Sequence, residues 1–314
     1  MPVAARRSGR GGAAPVRRLL YSQRLAPYLF ILPFVATLAL FWIIPVARSV
    51  VMSTQEVLYG QTTSVGLDNY ARLWNDSVFW TAMFNSARYM VLTLALLIPI
   101  PMLLAAVVNS RIGSPRVKAF FKASLFVPAL TSVVVAGLVF RLMFSESENA
   151  VMNQVLQLVG LGPVRWLRED LTGLAALLAL AVWRWTGVNT MYFIAGMQSI
   201  PGEYYEAASI DGANKRQQFL RITVPNLRPT MVYVTTISVY GGLAMFLESF
   251  MLYGGNASPN NQGLTVVGYL YRRGIEQNDL GFASAVGIVL LVVVMAINIT
   301  QLTLSGTFRK EHVR

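Results

Sequence analysis

The sequence predicts an all-α membrane protein of six transmembrane helices, and three observations predict it. The 314 residues are 55% hydrophobic and only 13% charged, with a mean hydropathy of +0.52, whereas about 25% of a soluble domain is charged. Six apolar stretches each supply the roughly 20 helical residues that a hydrocarbon core about 30 Å thick requires. Basic residues fall between those stretches in alternation, dense in one set of connections and sparse in the other, as charge sorts across a bilayer.

Residues 1–26 form a basic arm with Arg6, Arg7, Arg10, Arg17, Arg18 and Arg24. Its Arg, Gly and Ala content predicts disorder and contact with anionic head groups. The first span, 28–51, is too long for the apolar region of a cleavable signal and lacks a small-residue cleavage site, so it is read as retained. In the second span, 83–108, Pro99 and Pro101 remove backbone donors and predict a kink. The third covers 120–144. Beyond it, Val151, Met152, Val155, Leu156 and Val159 recur at helical spacing within 149–160, which suits either a short surface helix or a loop packing those side chains on the bundle. The remaining spans are 173–197, 230–253 and 283–304. They complete a transmembrane domain 27–305, and 306–314 is a tail.

The arm, the second connection (Arg111, Arg116, Lys118, Lys122), the fourth (Lys215, Arg216, Arg221, Arg228) and the tail (Arg309, Lys310, Arg314) hold seventeen basic residues. The alternate connections hold five, namely Arg72, Arg165, Arg168, Arg272 and Arg273. Both termini are therefore expected on the cytoplasmic side of a bacterial or archaeal cell membrane, with the lipid bilayer as the principal surrounding. A net charge of +12 would also suit nucleic acid, but these residues are dispersed among apolar runs and form no single basic face, so no nucleic-acid partner is expected. The chain has no cysteine and one histidine, His312 in the tail, which excludes a disulfide framework, a thiolate nucleophile and a His/Cys metal site. A membrane enzyme would need a nucleophile with its base or a metal cluster. An ion-driven secondary transporter would show intramembrane relays and repeat symmetry, and neither is visible.

The most informative connection is the fourth, 200–229, which reads IPGEYYEAASIDGANKRQQFLRITVPNLRP. Pro201 suits a first helical position, and Glu203 and Glu206 favour the positive end of that helix. The helix is expected to end near Ile210 at Gly212, which serves either by positive φ or by allowing close approach. Asp211 or Asn214 then caps a second helix through Phe219 and Ile222. A helix-turn-helix lined with Ala207, Ala208, Gly212 and Ala213 is suited to being gripped by another protein, because small residues let a partner approach closely.

This segment resembles the EAA loop of binding-protein-dependent importer permeases, the membrane subunits of ABC importers. The residues that carry the resemblance are Glu206-Ala207-Ala208, Asp211-Gly212-Ala213, Phe219 and Ile222-Thr223-Val224-Pro225. Val224 stands where the family commonly has Leu. The likeness extends to the sugar-permease branch, with larger subunits of the maltose and glycerol-phosphate types, through Pro33 and Pro45, Gly66-Leu67-Asp68-Asn69-Tyr70, Asn85-Ser86, Pro128, Trp183, Gly254-Gly255 and Gly281-Phe282-Ala283-Ser284-Ala285. It implies a type I ABC importer permease fold with a cytoplasmic coupling helix. The implied assembly has a second homologous permease subunit, two copies of a cytoplasmic ABC ATPase and an extracytoplasmic solute-binding protein. No G-x-x-x-x-G-K-[ST] loop is present, so this chain is expected to be no enzyme and to bind no cofactor, with ATP and Mg held by the ATPase subunits.

Five ionisable residues fall inside spans: Arg48, Arg88, Arg141, Arg184 and Glu248. Each would cost roughly 2.5–3.5 kcal/mol at the bilayer centre without a partner or a wet cavity. Arg184 lies near mid-span, about 8 Å in helical rise from Glu248, so one expectation is a structural pair between these two, with Arg141 as a rival partner, and the other is a solute site. Sugar recognition needs hydroxyl-matching groups beside aromatic faces. Trp185, Asn189, Thr190 and Tyr192 offer them on the fourth span, and Tyr240, Phe246, Glu248 and Ser249 on the fifth, although the aromatic residues equally suit lipid-facing positions. In the maltose-type permeases the solute lies among these same two spans. The resemblance therefore implies solute contacts at Gly187, Asn189, Phe246, Glu248 and Ser249.

Overall fold

A computed structural model of the protein describes residues 25–58, 61–110 and 114–307. The expected basic arm as far as Arg24, together with Arg111, Arg309, Lys310, His312 and Arg314, lies outside the described residues. The chain divides into two compact units, Met1–Met52 and Ser53–Arg314.

In the first unit, helix α1 (Pro27–Met52) runs for 26 residues with none of its apolar window buried. Pro33 and Pro45 interrupt its backbone ladder. Thr37 and Ser49 turn their hydroxyls onto the carbonyls of these prolines, at 2.8 and 2.9 Å, and a π-helical turn occupies Ala39–Ile43. A helix that is apolar all round and exposed belongs in lipid.

The second unit opens with a feature the sequence did not reveal, an antiparallel hairpin of β1 (Gln55–Leu58) and β2 (Gln61–Ser64) with Gln55 opposite Ser64. Its base is tied to α2 (Asp68–Asn75), where buried Asn69 donates to the Ser53 and Gln55 carbonyls at 3.0 and 2.9 Å. Helix α3 (Ser77–Asn109) starts before the expected residue 83 because Asp76 caps it, accepting from the Val78 and Phe79 amides. The expected proline kink is a local break at Ile98, φ −95° and ψ −59°.

Two expected spans are broken rather than continuous. In place of 120–144, α4 (Pro115–Leu130) and α5 (Val133–Met143) meet at 94°. Pro128 withholds a donor, and Thr131 and Ser132 have extended ψ of 136° and 132°, so the helix cannot run on. In place of 230–253, α10 (Arg228–Leu243) and α11 (Leu247–Tyr253) meet at 44°. Here Gly241 and Gly242 weaken the helix end and Phe246 leaves helical geometry at φ −141°. Counting each bent pair as one span, the described residues offer six candidate spans, with α7 (Asp170–Gln198) and α13 (Leu280–Leu304) unbroken.

The open alternative at 149–160 resolves as a helix, α6 (Val151–Leu158). Asn153 organises its surroundings, donating to the Ser147 and Val164 carbonyls and accepting from the Val164 amide and the Trp166 indole. The fourth connection folds as α8 (Gly202–Ile210) and α9 (Lys215–Gln218), which continues through a π-helical turn at Phe219–Thr223. After α11 come α12 (Val266–Tyr271) and a π-helical turn at Arg272–Glu276.

Three buried clusters hold the second unit together. At the hairpin end, Leu73, Phe79, Met90, Val239, Tyr269, Phe282 and Val286 join α2, α3, α10, α12 and α13. A middle cluster of Tyr89, Phe140, Leu177, Leu180, Met245 and Leu252 joins α3, α5, α7 and α11. At the opposite end, Ala105, Phe193, Met197, Leu227 and Val234 pack under the α8–α9 loop. Lipid is as apolar as leucine, so association rests on close packing, which small residues permit. A methyl at Gly187 would overlap the Leu125 carbonyl of α4, one at Gly137 would overlap Met251, and one at Gly242 would lie 2.8 Å from Met90.

Candidate functional site

The α8–α9 loop is built by local polar chemistry. Helix α8 begins at Gly202, with Pro201 as its cap rather than its first residue. It ends through bonds from the Gly212 amide to the Ser209 carbonyl and from the Ala213 amide to the Ala208 carbonyl, at 3.2 and 2.8 Å. Gly212 has φ +77°, and a methyl placed there would meet nothing within 4 Å. Of the two reasons considered for a glycine, the backbone angle is the one this chain itself requires; the space beside it is left open. Asn214, not Asp211, caps α9, in a reciprocal capping box with Gln217.

Gln218 and Tyr205, neither singled out from the sequence, close the turn. Gln218, 4% exposed, donates to the Ser209 hydroxyl and the Ala213 carbonyl at 2.9 and 3.1 Å, and the Tyr205 and Thr223 hydroxyls meet at 2.9 Å. A glutamine in a basic, solvent-facing stretch gives no sequence signal of burial. Phe219 packs into the cluster around Leu227, fixing the loop to α3 and α7. Glu206, Ala207, Asp211 and Pro225 are exposed and Ala208 and Ala213 half-buried. Ile210, 87% exposed, stands at the tip with Tyr204 and Leu220 also exposed, an apolar surface flanked by Glu203, Glu206, Lys215 and Arg216.

The residues expected along a solute path separate into two groups. Asn189 is buried and donates Nδ2 to the Leu97 carbonyl at 3.1 Å. Ser249 is buried and donates to the Gly263 carbonyl at 2.5 Å. Gly187 is the α4 contact described above. In this structure these three make contacts within the bundle.

The residues of the second group have separate surroundings. Phe246, at the α10–α11 break, lies 5.1 Å from Phe250 and 5.2 Å from Tyr271 between ring centres. Tyr192 meets Tyr233 edge to face at 5.2 Å, and Tyr240 is exposed. Arg184 and half-buried Glu248 both act electrostatically on the Tyr89 hydroxyl, yet the expected ion pair between them is absent. Among the described residues the ion pairs are Arg72–Asp279, Arg88–Asp170, Arg168–Glu146 and Arg273–Asp76. Arg184 leaves Nε and Nη1 buried without a hydrogen-bond partner, and its guanidinium lies 5.4 Å from the Trp185 ring. Arg141, the rival for Glu248, instead lies against Gly254.

At the hairpin end, Asp76 joins α3 to α12. It accepts from the Tyr269 hydroxyl at 2.6 Å and from Arg273 at 2.5 Å. Burial pushes its carboxyl up, but the bonds from Tyr269, the Val78 amide, Arg273 and the Phe79 amide outweigh burial and hold it below the ordinary carboxylate value. A cavity of about 370 Å³ opens beside it, lined by Arg72, Asn75, Asp76, Ser77, Arg273 and Phe282.

Comparison with known proteins matches residues 97–306 to the family described as binding-protein-dependent transport system inner membrane component. The arabinooligosaccharides transport system permease protein AraP of Bacillus subtilis (strain 168) is 46% identical, covering 99% of this chain and 96% of that protein. The lactose transport system permease protein LacF of Rhizobium radiobacter is 30% identical over 87% of this chain and 92% of its own length. Among solved structures, a bacterial alginate ABC transporter in complex with an alginate pentasaccharide-bound periplasmic protein superposes with a TM-score of 0.81, covering 93% of this chain and 99% of that one. At 24% identity that likeness speaks to the fold alone.

Proposed function

The chain belongs to the family of binding-protein-dependent transport system inner membrane components, and on that premise we propose that it is the permease subunit of an ATP-driven carbohydrate importer, forming one half of the translocation pathway. The observation that carries the proposal is the α8–α9 loop. It is a rigid helix-turn-helix fixed to the bundle through Phe219 and Leu227, with an apolar tip at Ile210 and open space beside Gly212. Such a surface suits the cleft of a cytoplasmic ATPase, and this sequence has no phosphate-binding loop of its own. Glu206, Ala207, Ala208, Asp211, Gly212 and Ala213 are the docking residues in this reading. Phe219, packed on the bundle, and exposed Pro225 complete the coupling segment.

A second related permease supplies the other half of the pathway, two ABC ATPases bind ATP and Mg, and an extracytoplasmic binding protein delivers the solute. Nearly full-length similarity to an arabinooligosaccharide permease supports a saccharide cargo. Within the bundle, Arg184, Tyr192, Tyr240, Phe246 and Glu248 remain as pathway residues. Unpaired guanidinium donors, a carboxylate and aromatic faces near a broken span match the hydroxyls and C–H surfaces of a sugar.

The test is reconstitution with both ATPases, the second permease and the binding protein in proteoliposomes, followed by uptake of a panel of pentose and hexose oligosaccharides. ATP-dependent uptake of at least one saccharide is expected. Uptake without ATP, or no association with an ATPase subunit, would overturn the proposal.

A further inference from the structure

Polar side chains buried inside a membrane bundle have partners, and the partner of Asn189 is a carbonyl that its own helix cannot satisfy. In α3 the Leu97 carbonyl should accept from the amide four residues on. That residue is Pro101, which has no N–H. Asn189 of α7 fills the gap at 3.1 Å. Of the neighbouring ladder bonds, Ile98 donates to Leu94 and Met102 to Ile98 at 3.3 and 3.2 Å.

The break at Ile98 also separates two packing units. Before it, α3 contributes Phe79, Ala82 and Met90 to the hairpin-end cluster. After it, Ala105 belongs to the cluster with Phe193, Met197 and Leu227, against which Phe219 of the α8–α9 loop packs. Asn189 lies on α7 between residues of the middle cluster, as far as Ala181, and residues of the loop-end cluster, from Phe193 onward.

We propose that Asn189 is a positioning residue for transport: by supplying the hydrogen bond that Pro101 withholds from Leu97, it pins the α3 joint at 97–101 to α7 and passes movement of the α8–α9 loop to the rest of the bundle. The inference rests on the importer reading. It assigns the joint a mechanical role, because a carbonyl held by a side chain from another helix can be released and retaken without unwinding either helix, whereas a backbone ladder bond cannot.

The test is a double-mutant cycle in the reconstituted importer, using Asn189→Leu, Pro101→Ala and both together. Asn189→Leu is expected to lower the maximal rate of saccharide uptake about ten-fold, as an unsatisfied buried carbonyl does. The solute KM should stay within about two-fold while ATP hydrolysis persists, so more ATP is consumed per solute. Pro101→Ala returns a donor to Leu97, and in that background Asn189→Leu should change the ratio of ATP hydrolysed to solute moved by less than about two-fold. If Asn189→Leu does not assemble, the double variant is expected to assemble. An equal loss in both backgrounds, or a double variant that fails to assemble, would overturn the role. So would a rise in KM that depends on the sugar while the ATP ratio is unchanged, which would make Asn189 a solute contact. Wild-type complex that takes up no saccharide with ATP would overturn the importer reading itself, a result separable from all of these.

Discussion

At Gly212 the left-handed backbone angle and the empty flank predict different things for different substitutions. Alanine at φ +77° costs roughly 1 kcal/mol, whereas asparagine tolerates that region and meets nothing in this chain within 4 Å. Gly212→Asn should therefore insert, pair and unfold thermally close to wild type, yet lose saccharide uptake at least about ten-fold if a partner backbone fills the open flank. Normal uptake by a well-folded Asn variant would reduce Gly212 to a helix terminator. Asp76 yields a pH-dependent expectation. Its folded pKa lies below the reference 3.8, so the stability it contributes is present above the unfolded pKa and disappears as pH falls through the lower folded value. Asp76→Asn keeps the cap but loses the charge-assisted bonds, and is expected to cost about 1–3 kcal/mol at neutral pH. Thermal unfolding curves of the two proteins should converge on acidification; a constant gap would show that the charge is not what matters. These single residues also mark what the sequence concealed. The family resemblance implies solute contacts at Asn189 and Ser249, and in this structure both donate to carbonyls of the bundle. Composition does not distinguish a cavity from an orphaned carbonyl. The clue for Asn189 was Pro101, since a proline in a helix leaves the carbonyl four residues earlier seeking a donor.

Among the elements, those with strong local signals were legible. The α8–α9 turn is set by Gly212 and the Asn214–Gln217 box, and α1, α3, α7 and α13 follow from unbroken hydropathy. The breaks at 131–132 and 244–246 were not. Apolar content continues across both, so hydropathy sees one span where the backbone has two. Pro128 and Gly241-Gly242 were the available warnings, but proline and glycine are common in membrane helices and do not by themselves decide between a bend and a break. The pairing of β1 with β2 escaped notice because the strands, QEVL and QTTS, are short and show no apolar alternation to reveal them. Association of α3 with α7 invites a direct measurement. Arg88 makes a two-armed ion pair with Asp170 at the start of α7, one arm at 2.6 Å. Asp170 is half exposed, so its removal should cost only about 1 kcal/mol. Removal of Arg88 should cost more, because its side chain is more buried than that of Asp170 and its guanidinium lies 5.5 Å from the Phe84 ring. The exchange Arg88→Asp with Asp170→Arg should recover part of the loss in a cycle of detergent unfolding energies, whereas strict additivity would deny the pair any coupling.

For the whole molecule the governing quantity is where charge lies relative to the apolar helices. Seventeen basic residues against five sort the connections into two sides, and the folded second unit places the α8–α9 loop with the Ala105, Met197 and Leu227 packing while the β-hairpin lies with Leu73 and Phe79 at the other end. If the basic side is cytoplasmic, the exposed surface at Ile210 faces the cytoplasm and the hairpin faces the opposite side of the membrane. A topology experiment therefore tests the direction of import as well as the span count. The choice of probe matters. Asn69 falls on the hairpin side but is buried under two hydrogen bonds, and Asn214 is the α9 cap, so a cysteine at either would report damage rather than sidedness. Thr62 on β2 and Arg216 on α9 are exposed and outside those contacts. In this cysteine-free chain, Thr62→Cys is expected to react with an impermeant thiol reagent added to intact cells. Arg216→Cys should react only after the membrane is opened, or in inverted vesicles. The reverse pattern would turn the molecule over and place the coupling surface where no ATPase can reach it. Labelling of both from one side would require an odd number of crossings between residues 62 and 216 to become even, as happens if the bent pair α4–α5 turns back without crossing.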